Sequence, residues 1–289
     1  MIRMIASDMD DTFLDGAHRV PAPNIAALER LHELGVLFVP CSGRPYPSIM
    51  GNLEDVDQRL LTGTYVISLN GGFINRYGQD EPLTSVTLDR SVAEELYRRG
   101  MDEHRIMHVY VPSGTIYTQG VRDAESSYLA GMRGVTALTG TERDLGFVGD
   151  EDVVKILYVD TDFDALQRLG ERLRPDLDAT RVAITYSARR YLEFVPAGMD
   201  KGVGVRRLAG MLGIDMDEVM SIGDSANDIS MLDAAGIGVG VANVCEDTRA
   251  HCDAVTAATG EQGALAEILQ RFIEPGYAHG QTKLGLPTT

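Results

Sequence analysis

Three things are scarce in this sequence. Cysteine occurs only as Cys41, Cys245 and Cys252 among 289 residues. An odd number with no C-x-x-C spacing makes no zinc site and, at this chain length, no disulfide scaffold. A reducing cytoplasm is the compartment that suits such a chain. Basic residues are outnumbered: 26 Lys and Arg against 43 Asp and Glu leave a net charge of -17 and a pI of about 4.7. A field of that sign repels nucleic acid and anionic membrane surfaces, so neither is expected as a partner. It does not exclude a small anion, because a bound metal and a few local cations reverse the potential inside a pocket. Long apolar runs are the third absence. No stretch reaches the roughly 18 uninterrupted apolar residues of a membrane span. The first residues lack the basic segment, apolar stretch and cleavage site of a signal peptide, so export is not expected. The six histidines show no ligand spacing, and there is no internal repeat or low-complexity block.

What is present starts with an acidic strand end. Met4-Ile5-Ala6 reads as a strand buried on both faces, as in a parallel sheet. Asp8, Asp10 and Asp11 follow within four residues, and Thr12 comes next. Such a cluster repels itself unless a cation or proton compensates. Hard oxygen ligands suit magnesium, and open α/β sheets bind ligands beyond the carboxyl ends of their strands. Asp and Thr also serve as turn formers and helix N-caps, so this stretch alone does not decide.

The chain length suggests about two domains at roughly 150 residues each. Ile25, Leu28, Leu31 and Leu34 have helical spacing, and Gly35 is a natural stop. A second strand, 36–40, runs into Cys41-Ser42-Gly43-Arg44. A right-handed βαβ unit brings Ser42 beside Asp8. A third strand, 65–69, ends in Asn70-Gly71-Gly72, a hairpin signal. From 88 to 195 helices and strands mix without a βαβ rhythm, the texture of an α+β domain inserted into the first. Residues 121–150 have no clear pattern. After Pro196 the first texture returns, with a helix at 201–212 and a strand at 218–222 leading into Gly223-Asp224-Ser225-Ala226-Asn227-Asp228. A short helix at 229–234, a strand at 237–241 and a closing helix at 261–273 follow, before a tail expected to be mobile. The organisation expected is a core of 1–87 with 196–289, carrying an inserted domain at 88–195. Lys201 opens its helix, where the dipole disfavours a cation unless carboxylates or a phosphate are near.

These four stretches, Asp8-Met9-Asp10-Asp11-Thr12, Ser42-Gly43-Arg44, Lys201-Gly202 and Gly223 to Asp228, resemble the ordered motifs of the haloacid dehalogenase-like hydrolases. They are most similar to the Cof-type phosphatases, whose large α/β cap of the C2 type (C2B) sits between the second and third motifs. The resemblance implies an α/β fold, a Rossmann-like core with a parallel sheet in the order 5-4-1-2-3. It implies Asp8 as nucleophile and Asp10 as the acid that protonates the leaving alkoxide and then activates water. It implies magnesium held by Asp8, the Asp10 backbone carbonyl and Asp224, with Asn227 and Asp228 orienting the metal shell and Lys201. Ser42, the Gly43 backbone and Lys201 would contact the phosphoryl group, and Arg44, Asn70 and Gly71 the substrate. Asp11 stands where glycine is frequent in the family and is expected to be a solvated carboxylate. Tyr186, Arg189 and Arg190 could read a leaving group under a lid, but an ordinary basic turn is the preferred reading of each one individually.

The activity implied is magnesium-dependent hydrolysis of a small phosphorylated metabolite such as a sugar phosphate, by a monomer or homodimer. A phosphomutase on the same fold, or a non-catalytic phosphate-binding regulator, are the alternatives. The regulator would require a broken catalytic set, and Asp8, Asp10, Ser42, Lys201 and Asp224 are all present.

Overall fold

The computed structural model of the chain describes residues 1–121, 125, 126, 129, 134–187 and 189–277. It divides into two compact units, Met1–Ser85 with Asp200–Thr289, and Val86–Met199. Among the described residues no helix is long and apolar enough to cross a membrane.

The first unit begins with β1 (Met4–Ser7), α1 (Ala22–Leu34), β2 (Leu37–Pro40), α2 (Tyr46–Asn52) and β3 (Tyr65–Ser68). The hairpin expected after β3 is there: β4 (Phe73–Arg76) pairs antiparallel with β3 and with β5 (Pro82–Ser85). The buried face of α1 is rotated from the one its apolar spacing predicts. Asn24, Ala27, Leu28 and Leu31 are buried, while Ile25 and Leu34 are only partly so. The polar Asn24 causes the rotation. Its amide donates to the carbonyls of Phe13 (2.9 Å) and Gly260 (3.1 Å) and accepts from the Leu265 N–H (3.2 Å). A fully bonded side chain can be buried at little cost.

The inserted unit contains α3 (Arg90–Asp102), β6 (Ile106–Tyr110), β7 (Ile116–Gln119), β8 (Val135–Ala137), β9 (Lys155–Val159), α4 (Phe163–Leu173), β10 (Val182–Ser187) and β11 (Tyr191–Pro196). Its sheet runs β10-β11-β9-β6-β7-β8, antiparallel except for the β7–β8 pair. Leu96 and Tyr97 of α3 and Leu166 and Leu169 of α4 pack with Ile156, Tyr158 and Phe194. Buried charges accompany that core: Lys155 donates to Glu193 at 2.7 Å, and Arg190 to Glu125 at 2.5 Å. Arg189 lies over the Phe163 ring at 4.9 Å, and the Tyr186 ring meets Phe163 edge-on. Each of these three hairpin residues has a partner within its own unit.

The chain returns through α5 (Lys201–Leu212), β12 (Val219–Gly223), α6 (Ile229–Ala234), β13 (Ile237–Gly240) and β14 (Ala254–Val255). The main sheet is parallel in the order β14-β13-β12-β1-β2. β3 continues it beyond β2 through a parallel bridge between Cys41 and Ile67. The expected order is therefore present, with a two-residue edge strand, β14, added to it. Both faces of β1 are covered. Met4 and Ala6 pack with Val205, Leu208 and Met231, and Ile5 packs with Phe13, Leu28 and Leu265. The closing helix departs from the uniform helix expected at 261–273. It spans Ala264–Ile268, widens into a π-turn at Leu269–Ile273 and runs on through Glu274–Tyr277. The tail expected to be mobile begins after Glu274; its residues 275–277 are instead the end of this helix, and 278–289 lie outside the described residues, as does part of 121–150.

Candidate active site

The strand ladder continues past its last residues and so fixes the site. The Asp8 N–H donates to the Ile222 carbonyl at 2.9 Å, Cys41 N–H to Ser7 at 2.8 Å, and Ser42 N–H to Ile67 at 2.9 Å. Asp8, Ser42 and the Asp224 loop are thus carried to one sheet edge by backbone bonds. Beyond Asp8 the chain turns back, with Phe13 and Leu14 both donating to the Met9 carbonyl. Asp11 sits in this turn at φ 56, in the left-handed region. That backbone requirement explains a preference for glycine there, and a short polar side chain tolerates it.

Lys201 is the centre of the charge arrangement. It is completely buried, and its ammonium donates to Asp8 Oδ1 at 2.5 Å and to Asp228 Oδ1 at 2.6 Å. Asp200 caps the helix by accepting from the Val203 N–H at 2.8 Å. Burial opposes the charge on Lys201, but Asp8 and Asp228 outweigh it and raise its pKa. Burial pushes the Asp8 carboxyl up to about 7, Asp228 and Asp224 push the same way, and Lys201 pulls against them. Asp224 is pushed up to about 6 by burial and by Asp228, while Thr12 donates to its Oδ1 at 2.9 Å.

The carboxylates of Asp8, Asp224 and Asp228 have oxygens within 4.8 Å of one another. Three carboxylates against one ammonium leave an excess of two negative charges, and all the donors are hard oxygens. That set fits a divalent magnesium ion. Within it, Asp228 is already committed. Its Oδ1 takes Lys201, and its Oδ2 accepts from the N–H groups of Asp224 (2.9 Å) and Ser225 (3.0 Å). Asp8 and Asp224 retain free acceptor capacity, and Asp228 holds the loop and the lysine in place. Asn227 is exposed and accepts from the Ser225 hydroxyl at 2.8 Å.

Two loops close against each other beside Asp8. Asn70 N–H donates to the Ser42 carbonyl, and Leu69 N–H to the Arg44 carbonyl, each at 3.0 Å. Leu69, Asn70 and Gly71 are all left-handed, at φ 52, 55 and 88. So Asn-Gly here is more than a hairpin turn. Gly71 takes that region freely, but two consecutive non-glycine residues there, Leu69 and Asn70, are costly and persist only where surrounding bonds impose them. Gly71 has no alternative residue: a Cβ there would lie 2.2 Å from the Asp200 carbonyl oxygen, at the start of the Lys201 helix. Gly43 lies under Asn70, whose Oδ1 would be 3.0 Å from an added Cβ. That Oδ1 is buried with no hydrogen-bond partner among the described residues.

The Asp10 side chain is not part of the carboxylate cluster. Arg44 takes it in a fork, Nε to Oδ2 at 2.7 Å and Nη2 to Oδ1 at 2.6 Å. Arg44, expected at the substrate, is thus spent on Asp10 in this state. His18 Nδ1 lies 3.1 Å from Asp10 Oδ1, and Asn52 receives Arg44 Nη1 at 3.4 Å. Neither His18 nor Asn52 was singled out by sequence, because neither lies in a motif or has ligand spacing.

A sequence model of the haloacid dehalogenase-like hydrolases matches residues 5–269. The HMP-PP phosphatase of Cronobacter sakazakii is 30% identical over 243 residues, covering 84% of this chain and 85% of that protein. Phosphatase YwpJ of Bacillus subtilis is 28% identical over 295 residues, 94% of this chain and 100% of its own. A crystal structure of a haloacid dehalogenase-like hydrolase from Bacteroides thetaiotaomicron has a TM-score of 0.81 and 27% identity, covering 94% of this chain and 100% of that one.

Proposed function

The chain belongs to the haloacid dehalogenase-like hydrolases, and from that premise we propose that it is a magnesium-dependent phosphatase. It hydrolyses a small phosphorylated metabolite, a sugar phosphate or a similar compound, through an aspartyl-phosphate on Asp8. The observation that carries the reading is the buried Lys201 joining Asp8 to Asp228, with Asp224 alongside. The phosphatase names of its relatives support it.

Asp8 attacks phosphorus, and the bond to the leaving oxygen breaks. Asp10 gives that oxygen a proton. Asp10 then takes a proton from the water that attacks the aspartyl-phosphate, which frees inorganic phosphate and restores the Asp8 carboxylate. Lys201 and the Ser42 hydroxyl stabilise charge on the phosphoryl oxygens, and removing one such donor typically costs about a hundred- to a thousand-fold in rate. Asp8, Asp224 and the Asp10 backbone carbonyl would hold magnesium, which would supply the charge neutralisation an anion needs to approach a phosphate dianion. Asp228 acts on Lys201 and on the Asp224 loop rather than on the substrate.

The test is phosphate release from a panel of phosphorylated metabolites, with and without magnesium, by the wild type and by Asp8→Asn. Release that needs magnesium and is lost in the variant is expected. A panel with no hydrolysed member overturns the phosphatase reading, and phosphoryl exchange without net release would move it to a mutase.

A further inference from the structure

The strongest feature the proposed mechanism leaves unused is the cluster around the Asp10 carboxylate. About a third of the Asp10 side chain is exposed, at 35%, so packing does not hold it. Its position comes from hydrogen bonds, and two residues supply them. One is Arg44, whose guanidinium occupies both carboxylate oxygens. A transferring phosphoryl group competes for such a fork, because guanidinium binds phosphate with the same paired geometry. The other is His18, and the chain goes to some length to place it.

The segment around His18 is tied at several points. The Asp15 carboxylate accepts from the N–H groups of Ala17 and Arg19, both at 2.9 Å. The Asp15 N–H donates to the Arg19 carbonyl at 2.8 Å, and the His18 N–H to the Asp15 carbonyl at 2.9 Å. Asn52 Nδ2 holds the His18 carbonyl at 3.1 Å while its Oδ1 faces Arg44. Within these ties His18 takes φ 58, left-handed, which a residue with a ring at Cβ adopts only under constraint. The constrained backbone brings Nδ1 to 3.1 Å from Asp10 Oδ1 and to 3.2 Å from Arg44 Nη2, which itself donates to that same oxygen at 2.6 Å.

We propose that His18 is a positioning residue for Asp10: it holds Oδ1 in place when Arg44 turns to the phosphoryl group, leaving Oδ2 free to exchange the proton with leaving group and water. The role rests on the phosphatase reading above. Arg44 Nη2 can only donate towards Nδ1, so the contact proposed for the turned-away Arg44 requires the tautomer protonated at Nδ1, which then donates to the carboxylate. Asn52 ties His18 and Arg44 to one helix end, so both partners of Asp10 share a support.

The test separates leaving groups by their need for a proton. Among sugar and polyol phosphates, the primary-alcohol phosphate hydrolysed fastest by the wild type is compared with p-nitrophenyl phosphate, whose phenolate departs without one. kcat/KM reports the steps up to loss of the leaving group. His18→Gly removes the ring without straining the left-handed backbone, and it should lower the alkyl-to-nitrophenyl ratio of kcat/KM by about tenfold, the lower end for an orienting contact. His18→Asn puts an amide nitrogen near the place of Nδ1 and tolerates positive φ, and it should restore the ratio to within about threefold, a residual loss of ~0.7 kcal/mol. A ratio unchanged in His18→Gly, or an Asn variant no better than Gly, overturns the proposal. A wild type that hydrolyses neither ester would overturn the phosphatase reading itself.

Discussion

Lys201→Met tests the charge balance of the site. Lys201 is fully buried with two carboxylates on it at 2.5 and 2.6 Å. At an effective dielectric near 20, each contact attracts by about 6–7 kcal/mol before desolvation and carboxylate repulsion are subtracted. Removing one partner of a buried ion pair costs about 3–5 kcal/mol, because the charge left behind has no water. Here two carboxylates would be left, so the upper half of that range applies. The loss should also depend on pH. Without the ammonium, burial and the charges of Asp228 and Asp224 act unopposed on the Asp8 carboxyl, which then holds its proton still more tightly in the folded chain than in the unfolded one. A raised carboxyl pKa gives stability that is present at low pH and lost as pH rises through the folded value. The deficit of the variant should therefore be smaller at pH 5 than at pH 8. Chemical denaturation of both proteins at the two pH values, in chelator, measures it. Adding Asp228→Asn removes the second charge while keeping an oxygen for the Asp224 and Ser225 N–H groups, so the double variant should regain about 2 kcal/mol of the loss. A deficit below about 1 kcal/mol that is flat with pH would refute the reasoning, because a buried charge imbalance cannot be that cheap.

Two further outcomes follow from the same geometry. Gly71→Ala should lose about 2–4 kcal/mol in denaturant unfolding, since its Cβ meets the Asp200 carbonyl at 2.2 Å and its φ of 88 disfavours a side chain; an unchanged midpoint contradicts the close approach of the two segments. Asp224→Asn should stabilise the metal-free protein at pH 8 by about 1–2 kcal/mol, with the gain shrinking towards pH 4, because a carboxyl raised to about 6 costs stability as pH climbs through that value. The same variant should lose the thermal shift that magnesium gives the wild type, and a shift of equal size in both would remove Asp224 from the ion's ligands.

Much of the site could be read before any coordinates, for a physical reason. Asp8, Ser42 and Asp224 each follow a short apolar run, and strands buried on both faces advertise themselves by lacking polar alternation. Parallel pairing then brings their ends together whatever the loops do. The parts that escaped are those where a contact depends on loop conformation. His18, Asn52 and the Arg44 fork on Asp10 meet only because the Asp15 turn folds as it does. The rotation of α1 escaped because Asn24 is polar in type yet buried with every bond satisfied. β14 escaped because two residues carry no period. The buried Lys155–Glu193 pair escaped because opposite charges on neighbouring strands, 38 positions apart, leave no local trace. Asp11 shows the reverse: its departure from the family's glycine was visible in sequence, and only the backbone, at φ 56, shows why glycine is frequent there.

The measurement closest to the central claim asks where the phosphoryl group goes. Asp10→Asn should still be phosphorylated by p-nitrophenyl phosphate, because that leaving group needs no proton, while lacking the base that clears the intermediate. Acid quench and peptide mapping of this variant, with Asp8→Asn and the wild type alongside, locate the label. The account predicts phosphate on the peptide carrying Asp8, in a bond labile to hydroxylamine, and none in Asp8→Asn. Phosphate release by Asp8→Asn at the wild-type rate, with no labelled peptide in any of the three proteins, would contradict it.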